Sequence, residues 1–343
     1  MTGELVLVTG GTGFVAAHCI VRLLDAGYRV RTTVRSLARA DEVRAMVAEG
    51  GSDAAGVEFA EADLLRDEGW SDAASGAAFM LHVASPFPVS QPKDPDELIV
   101  PARDGALRAL RAARDARVRR VVLTSSFAAV GYGAVHPERP YTEDDWTDPT
   151  DERLTPYVRS KAVAERAAWD FIDREAPDLE LTVVNPVAVF GPTLGRDLSS
   201  SLALLLLFLN GEISAVPHAA TNAVDVRDVA DLHVAAMTHP DAAGERFLAV
   251  AGDPVTFPEL ARLLRERLGD AARHVPTRTV PNWLVRLGSR FNPDLRAIVP
   301  QLGRRPVTSH AKAERMLDWH PRSNEESIIA AAESLVRHGL VTP

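Results

Sequence analysis

The sequence predicts an α/β fold: a doubly wound parallel sheet with a smaller, mainly helical C-terminal lobe. Three observations predict it. Short Val- and Leu-rich runs alternate with helical segments over the first 190 residues, the pattern of strands buried on both faces. A glycine-rich turn joins the first run to the first helix. Beyond Gly191 the alternation gives way to Pro-, Gly- and Arg-rich stretches with short helices.

Glu4-Leu5-Val6-Leu7-Val8 is the first strand, and Thr9-Gly10-Gly11-Thr12-Gly13-Phe14-Val15-Ala16 follows at once. An amphipathic helix then runs to about Ala26, where Gly27 ends it, and Tyr28–Val34 forms the second strand. Strand, turn, helix and strand within about thirty residues is the context of a Rossmann-type dinucleotide site. Gly10 permits the tight turn. Gly13 lets backbone approach a pyrophosphate with no Cβ in the way, and Ala16 takes the third small position, where helix and strand pack closely. The anion sits over the helix N-terminus, where free N–H groups and the dipole favour it. The second strand ends in Thr33-Val34-Arg35-Ser36, with Arg39 nearby and no acid before Asp41. An arginine there suits a 2′-phosphate by charge and by its planar fork of donors, so NADP(H) is favoured and NAD(H) is the alternative.

The remaining strands follow in order: Val57–Ala60, Ala78–Val83, Arg120–Leu123 and Leu181–Val184. Asp63, just after the third strand, is placed to bond an adenine edge or to cap a helix. The fourth ends in His82-Val83-Ala84-Ser85-Pro86-Phe87, whose small residues leave room for a cofactor. A helix spans about Pro95–Ala116. The fifth strand ends in Thr124-Ser125-Ser126, and the sixth is closed by Asn185-Pro186. Thr221–Val226 reads as a strand returning to the main sheet, with Asp228 as N-cap of a helix over Val229–Met237. Four later helices are expected at Phe257–Leu268, Pro281–Leu287, Ala311–Leu317 and Glu325–His338. Residues 1–190 are thus read as the dinucleotide-binding domain, with 221–238 returning to it, and 191–343 as a substrate-binding lobe laid across the mouth of the sheet.

Composition bounds the function. The 343 residues are 46% hydrophobic and 25% charged, an ordinary globular balance. A net charge of −9 argues against a nucleic-acid surface. The single cysteine, Cys19, excludes an internal disulfide framework and a cysteine-based metal site; its apolar helical surroundings read as core. No basic leader precedes the first strand, and the longest apolar run, Leu202–Leu209, is far short of the ~20 residues of a membrane span. The expectation is a cytoplasmic protein with no metal, no nucleic-acid partner and no membrane partner.

Tyr157 and Lys161 stand four apart, on one face if the segment is helical. A cation beside a phenol lowers the Tyr pKa from about 10, and such a pair can move protons near neutral pH. In order along the chain stand Thr-Gly-Gly-x-Gly-Phe-Val, Thr-Ser-Ser, Tyr-x-x-x-Lys, Asn-Pro and Val-Asp-Val-Arg-Asp-Val-Ala. Together these resemble the extended short-chain dehydrogenase/reductase family of the NAD-dependent epimerase/dehydratase superfamily. Thr33-Val34-Arg35, His82-Val83-Ala84-Ser85-Pro86 and Val121–Ser126 are similar to its branch of dihydroflavonol reductases, cinnamoyl-CoA reductases and microbial aldehyde or ketone reductases. The resemblance covers about residues 4 to 237.

The resemblance implies roles at matching positions. Tyr157 is the catalytic acid/base. Lys161 bonds the nicotinamide ribose and lowers the Tyr pKa. Ser126 holds the substrate carbonyl, with Ser125 the adjacent candidate. Gly10, Thr12, Gly13, Phe14 and Val15 line the pyrophosphate site. Arg35, with Arg39, takes the 2′-phosphate, and Asp63 and Leu64 flank adenine. Val83, Ala84, Thr124, Pro186, Val187 and Val189 pack on the nicotinamide half, and Ser201 is the weakest transfer. The implied activity is an NADPH-dependent carbonyl reductase, reversible, acting on a small-molecule carbonyl or alcohol, a medium-sized and largely apolar aldehyde or ketone, as a monomer or homodimer. Phe87, Phe127, Leu194 and Leu202–Leu209 supply the apolar neighbourhood, with plain core as the other reading. A nucleotide-sugar epimerase or dehydratase is the enzymatic alternative; it needs basic contacts for a diphosphate, for which Arg246, Arg262 and Arg304 stand in the C-terminal lobe. A catalytically idle NADP(H)-binding regulator is the other.

Overall fold

The computed structural model describes residues 3–86, 94–133, 138–196, 198–291 and 299–342. Phe87, expected in the apolar neighbourhood, lies outside the described residues. β1 (Leu5–Val8) is buried at every position, as a strand covered on both faces must be. α1 (Phe14–Asp25) follows, and Gly27, at φ +80°, ends it in the left-handed conformation. The chain continues through β2 (Arg29–Val34), α2 (Ala40–Glu49), β3 (Glu58–Glu61), α3 (Trp70–Ala74), β4 (Phe79–His82), α4 (Asp96–Asp115), β5 (Arg120–Thr124), α5 (Pro156–Glu175) and β6 (Glu180–Pro186).

These strands form a parallel sheet in the order β3-β2-β1-β4-β5-β6, extended by a seventh strand beside β6. That order is the doubly wound arrangement, with its switch point between β1 and β4. One core cluster joins Leu7, Met80, Val121, Leu123, Leu181 and Val183 of the sheet to Trp70, Leu110 and Phe171 of the helices. Each such side chain contributes roughly 1.5–3 kcal/mol by leaving water.

The chain divides into two compact units. The first is Met1–Val187, Arg227–Ala249 and His310–His320. The second is Ala188–Val226, Val250–Ser309 and Pro321–Pro343. In the second, β7 (Ala188–Phe190), α6 (Ser200–Leu209), β8 (Val216–Pro217) and β9 (Ala220–Asp225) come first. α7 (Val226–Thr238) and β10 (Arg246–Ala249) return to the first unit, apart from Val226. β11 (Ala251–Thr256), α8 (Phe257–Leu268), β12 (Thr279–Val280) and α9 (Asn282–Gly288) belong to the second. α10 (Ala311–Leu317) is in the first unit and α11 (Asn324–Arg337) in the second.

Two expectations need correction. The segment read as a strand returning to the main sheet is β9, and it lies between β7 and β11 in a separate three-stranded sheet of the second unit. The seventh strand of the main sheet is β10, whose four residues Arg-Phe-Leu-Ala are all buried. Four residues with an arginine at the start carry too little apolar signal to be read as a buried strand. Asp228 is not an N-cap: α7 begins at Val226, so Asp228 sits in its first turn. The second unit also holds a three-stranded and a two-stranded sheet beside its helices.

Candidate active site

The carboxyl ends of β1, β4, β5 and β6 place the polar residues of the first unit. At β1, Thr9 Oγ1 accepts from the backbone N–H of Val83 (3.0 Å) and Ala84 (2.9 Å) and contacts His82 Nδ1 at 3.0 Å. With its oxygen accepting twice, the hydroxyl donates to His82 Nδ1, which must be unprotonated. Burial agrees, pushing that imidazole down to about 4, with the Lys161 charge adding to it. Gly10 follows at φ +74°, where a Cβ would stand 3.0 Å from that of Ala84. Its N–H donates to Thr33 Oγ1 (2.9 Å), and the Gly11 N–H to the Thr33 carbonyl (2.9 Å), so the turn is tied to β2. At Gly13, N-cap of α1, a Cβ would meet the Gly10 carbonyl at 3.1 Å, and no side chain caps the helix. Thr12, Phe14 and Val15 complete this turn; Phe14 is buried against His18, and Thr12 and Val15 are half-buried.

At the end of β2, Arg35 is exposed and has no ion-pair partner among the described residues. Arg39 differs from expectation: its guanidinium forks onto Glu42 at 2.8 Å through two bonds, as an i,i+3 pair on one helix face favours. Asp63 is neither free nor a helix cap. Its Oδ1 accepts from the Leu65 N–H at 2.9 Å, closing its own turn. Leu64 packs on Gly105 of α4, where a Cβ would lie 2.9 Å from its own.

Tyr157 and Lys161 are on α5, which Thr155 caps by accepting from the Val158 N–H. Ser126 hydrogen-bonds the Tyr157 phenol. Burial pushes that phenol up to about 12, with the Ser126 bond opposing and Tyr132 adding to the rise. Here the expectation of a lowered Tyr pKa fails. The Lys161 Nζ is 5.8 Å from the ring centroid and donates to Ser85 Oγ at 2.8 Å, while burial pushes its own ammonium down to about 8. Both side chains keep a partly open surface but are enclosed by protein atoms that displace their water. The two adjacent serines point apart. Ser125 is buried and donates to Glu165 Oε2, whereas Ser126 Oγ accepts from the Ala128 N–H at 3.1 Å and meets Tyr157.

Thr124 Oγ1 lies 2.6 Å from His233 Nε2, and His233 Nδ1 donates to the Val229 carbonyl at 2.7 Å. That tautomer leaves Nε2 to accept, so the Thr124 hydroxyl donates to it. Pro186 ends β6 beside Ala249, and the Val187 N–H donates to the Ala249 carbonyl at 3.1 Å. Val189, in β7, and Ser201, in the first turn of α6, belong to the second unit. The first unit therefore unites the remaining candidates without these two. Of the arginines expected for a diphosphate, Arg246 is buried in the first unit against Glu165, and Arg262 pairs with Glu266 in the second.

Sequence reasoning gave no role of their own to Thr9, His82, Ser85, Glu165, Asn185 and His233, and it gave Arg246 a different one. Glu165 carried a signal, standing four residues past Lys161 on the same helix face. The others are brought in by strand pairing across long separations. No described helix is long and apolar enough to cross a membrane, and no cluster of metal-ligating side chains occurs among the described residues.

A family model described as the NAD dependent epimerase/dehydratase family matches residues 6–250. Cinnamoyl-CoA reductase 1 of Arabidopsis thaliana is 36% identical over 250 residues, covering 72% of this chain and 70% of that protein. Ketoreductase azaE of Aspergillus niger is 34% identical over 299 residues, covering 81% and 87%. Among solved structures, the yeast methylglyoxal/isovaleraldehyde reductase Gre2 complexed with NADPH superposes with a TM-score of 0.80 at 26% identity, covering 99% of this chain and 100% of that one. The family model and these relatives match most of the chain, and the chain belongs to the NAD dependent epimerase/dehydratase family.

Proposed function

We propose that this protein is an NADPH-dependent carbonyl reductase that converts small aldehydes or ketones to alcohols, reversibly. The observation that carries the reading is Ser126 hydrogen-bonded to Tyr157, with Lys161 one turn along α5, at the carboxyl ends of a parallel sheet. The residues present suit a dinucleotide. The start of α1 has no side-chain cap, its first N–H groups lack intrahelical partners, and a Cβ at Gly10, Gly11 or Gly13 would crowd its neighbours. Arg35 offers an unpaired fork for a 2′-phosphate. NADPH, when bound, supplies the hydride.

The chain's own groups handle the oxygen and the proton. A carbonyl oxygen accepting from both Ser126 Oγ and the Tyr157 phenol is polarised by two donors at once. A phenol held at about 12 stays protonated at neutral pH, which suits donation in the reductive direction. Lys161, held at about 8, is mainly cationic at pH 7, beside the phenol and available to ribose hydroxyls. Thr9, Val83 and Ala84 hold the β1 and β4 ends together under this group. We assign cofactor binding to the first unit and substrate binding to the second, in a cytoplasmic monomer or homodimer.

NADPH depletion against a panel of aliphatic and aromatic aldehydes and ketones tests the reading, with NADH in parallel. Turnover with NADPH well above NADH is expected. Tight NADPH binding with no carbonyl consumed would instead identify a regulator, and conversion of a nucleotide sugar an epimerase or dehydratase.

A further inference from the structure

Glu165 is a buried carboxyl group that the reaction as described does not use. Its side chain has no exposed surface, and three donors from three strand ends converge on it. Ser125 Oγ, after β5, donates to Oε2; Asn185 Nδ2, on β6, donates to Oε2 at 2.7 Å; Arg246 Nε, on β10, donates to Oε1 at 2.6 Å. Asn185 Nδ2 also donates to the Ser126 carbonyl at 3.2 Å. Both of its partners only accept, which fixes the amide orientation. The carboxylate itself rides on α5, one turn beyond Lys161 and two beyond Tyr157. Ser126 is thus held to the Tyr157 helix by its own backbone, by its neighbour Ser125 and by Asn185.

The charges around this point are few. Lys161 faces Tyr157 and Glu165 on its own helix, the Ser85 hydroxyl after β4, and the neutral His82 of β4. A cavity of about 20 Å³ lies between them, with room for about one water. Of α4, only Ala102 and Ala106 reach its lining; Ser125 and Thr124 come from the end of β5. On the far side, Arg246 donates to the carbonyls of Glu143 and Asp145, lies 3.7 Å over the Trp146 ring and faces the Glu143 carboxyl. Little solvent screens Glu165 from Lys161, and among the described residues it is Glu165 whose charge opposes the desolvation of the ammonium.

We propose that Glu165 is a positioning residue of this site: it ties the strand ends that carry Ser126 to the helix of Tyr157 and Lys161, and its charge keeps Lys161 cationic. The proposal rests on the reading of Ser126, Tyr157 and Lys161 as the reacting group.

The chain has only three lysines, Lys93, Lys161 and Lys312, so trace acetylation read by peptide mass titrates each separately without cofactor or turnover. In Glu165→Gln the half-labelling pH of Lys161 should fall by about one unit or more. Lys312, paired with Glu245, should not move. The pH at which carbonyl-reduction kcat/KM declines should fall by the same amount. If Glu165→Gln leaves Arg246 too poorly matched to fold, Glu165→Gln with Arg246→Met removes both buried charges and has the same expected readout. Ser125→Ala keeps the charge but removes one strut: kcat should drop about tenfold, with Lys161 labelling unmoved and the NADPH Kd within about twofold. Wild-type Lys161 labelling in a folded Gln variant overturns the electrostatic half, and wild-type kcat in Ser125→Ala the positioning half. Because labelling needs no substrate, a shifted Lys161 in a protein that reduces no carbonyl counts against the functional reading alone.

Discussion

At the scale of residues, the phenol and the ammonium of α5 act through their burial as much as through each other. Lys161 donates to Ser85, and burial holds the Tyr157 phenol at about 12, so the phenol remains the donor at neutral pH. Tyr157→Phe keeps the ring and removes only that proton. It should lower kcat by about 10²–10⁴ while leaving the NADPH Kd within a few-fold, as single-turnover and fluorescence titrations would show. A kcat within twofold of wild type would end the assignment. The candidacy of these side chains was legible from the Tyr-x-x-x-Lys spacing together with the order of the other motifs. Which serine faces Tyr157 was not, because two adjacent serines differ only in the direction that the chain gives them, and direction is set by Glu165 forty residues away.

At the scale of elements, the strands and helices of the first unit were largely readable, since most of its buried strands are short apolar runs and its longer helices turn a periodic apolar face to the sheet. α8 begins at Phe257, where Thr256 and Glu259 form a capping box, and α10 begins at Ala311 with no side-chain cap. β10 and β9 were not readable in their roles, because strand pairing, not local composition, decides which sheet receives them. α5 shows what a local signal contributes: Thr155 caps it and Pro156 presets its first φ. Thr155→Ala should destabilise by about 1 kcal/mol and lower the melting temperature by about 2 °C. Calorimetry checks this, and an unchanged melt would mean that tertiary packing alone sets the start of the helix. Arg120 is a longer-range device: buried at the start of β5, it donates to the carbonyls of Ala236, Met237 and His239, closing the end of α7 that has no donors of its own.

At the scale of the whole molecule, two neutral histidines link the fold to pH. Burial pushes both His82 and His233 down to about 4. Their folded values lie below the unfolded value near 6.5, so the folded state binds fewer protons in that window. Their stabilisation is therefore complete above pH 6.5 and is lost as pH falls from about 6.5 toward 4, by up to about 1.4 kcal/mol per unit for each. Melting temperature should drop across that range, before most carboxylates titrate, and the slope should lessen in His233→Gln. An equal slope in that variant would remove His233 from the explanation. By itself, the sequence determined the sheet type, the glycine turn and the arginine after β2, and it put forward Tyr157 and Lys161 as candidates, because each of these is written within a few neighbouring residues. Only the tertiary structure decided that β10 completes the sheet, that Arg39 turns to Glu42, that Ser126 faces Tyr157, and that Glu165 stands behind them with Arg246, Asn185 and Ser125. Arg39 and Glu42 stand only three apart, and the start of α2 puts them on one face; for the other three the physical reason is that a buried polar group must find its partner wherever the chain brings one, and sequence separation does not record that distance.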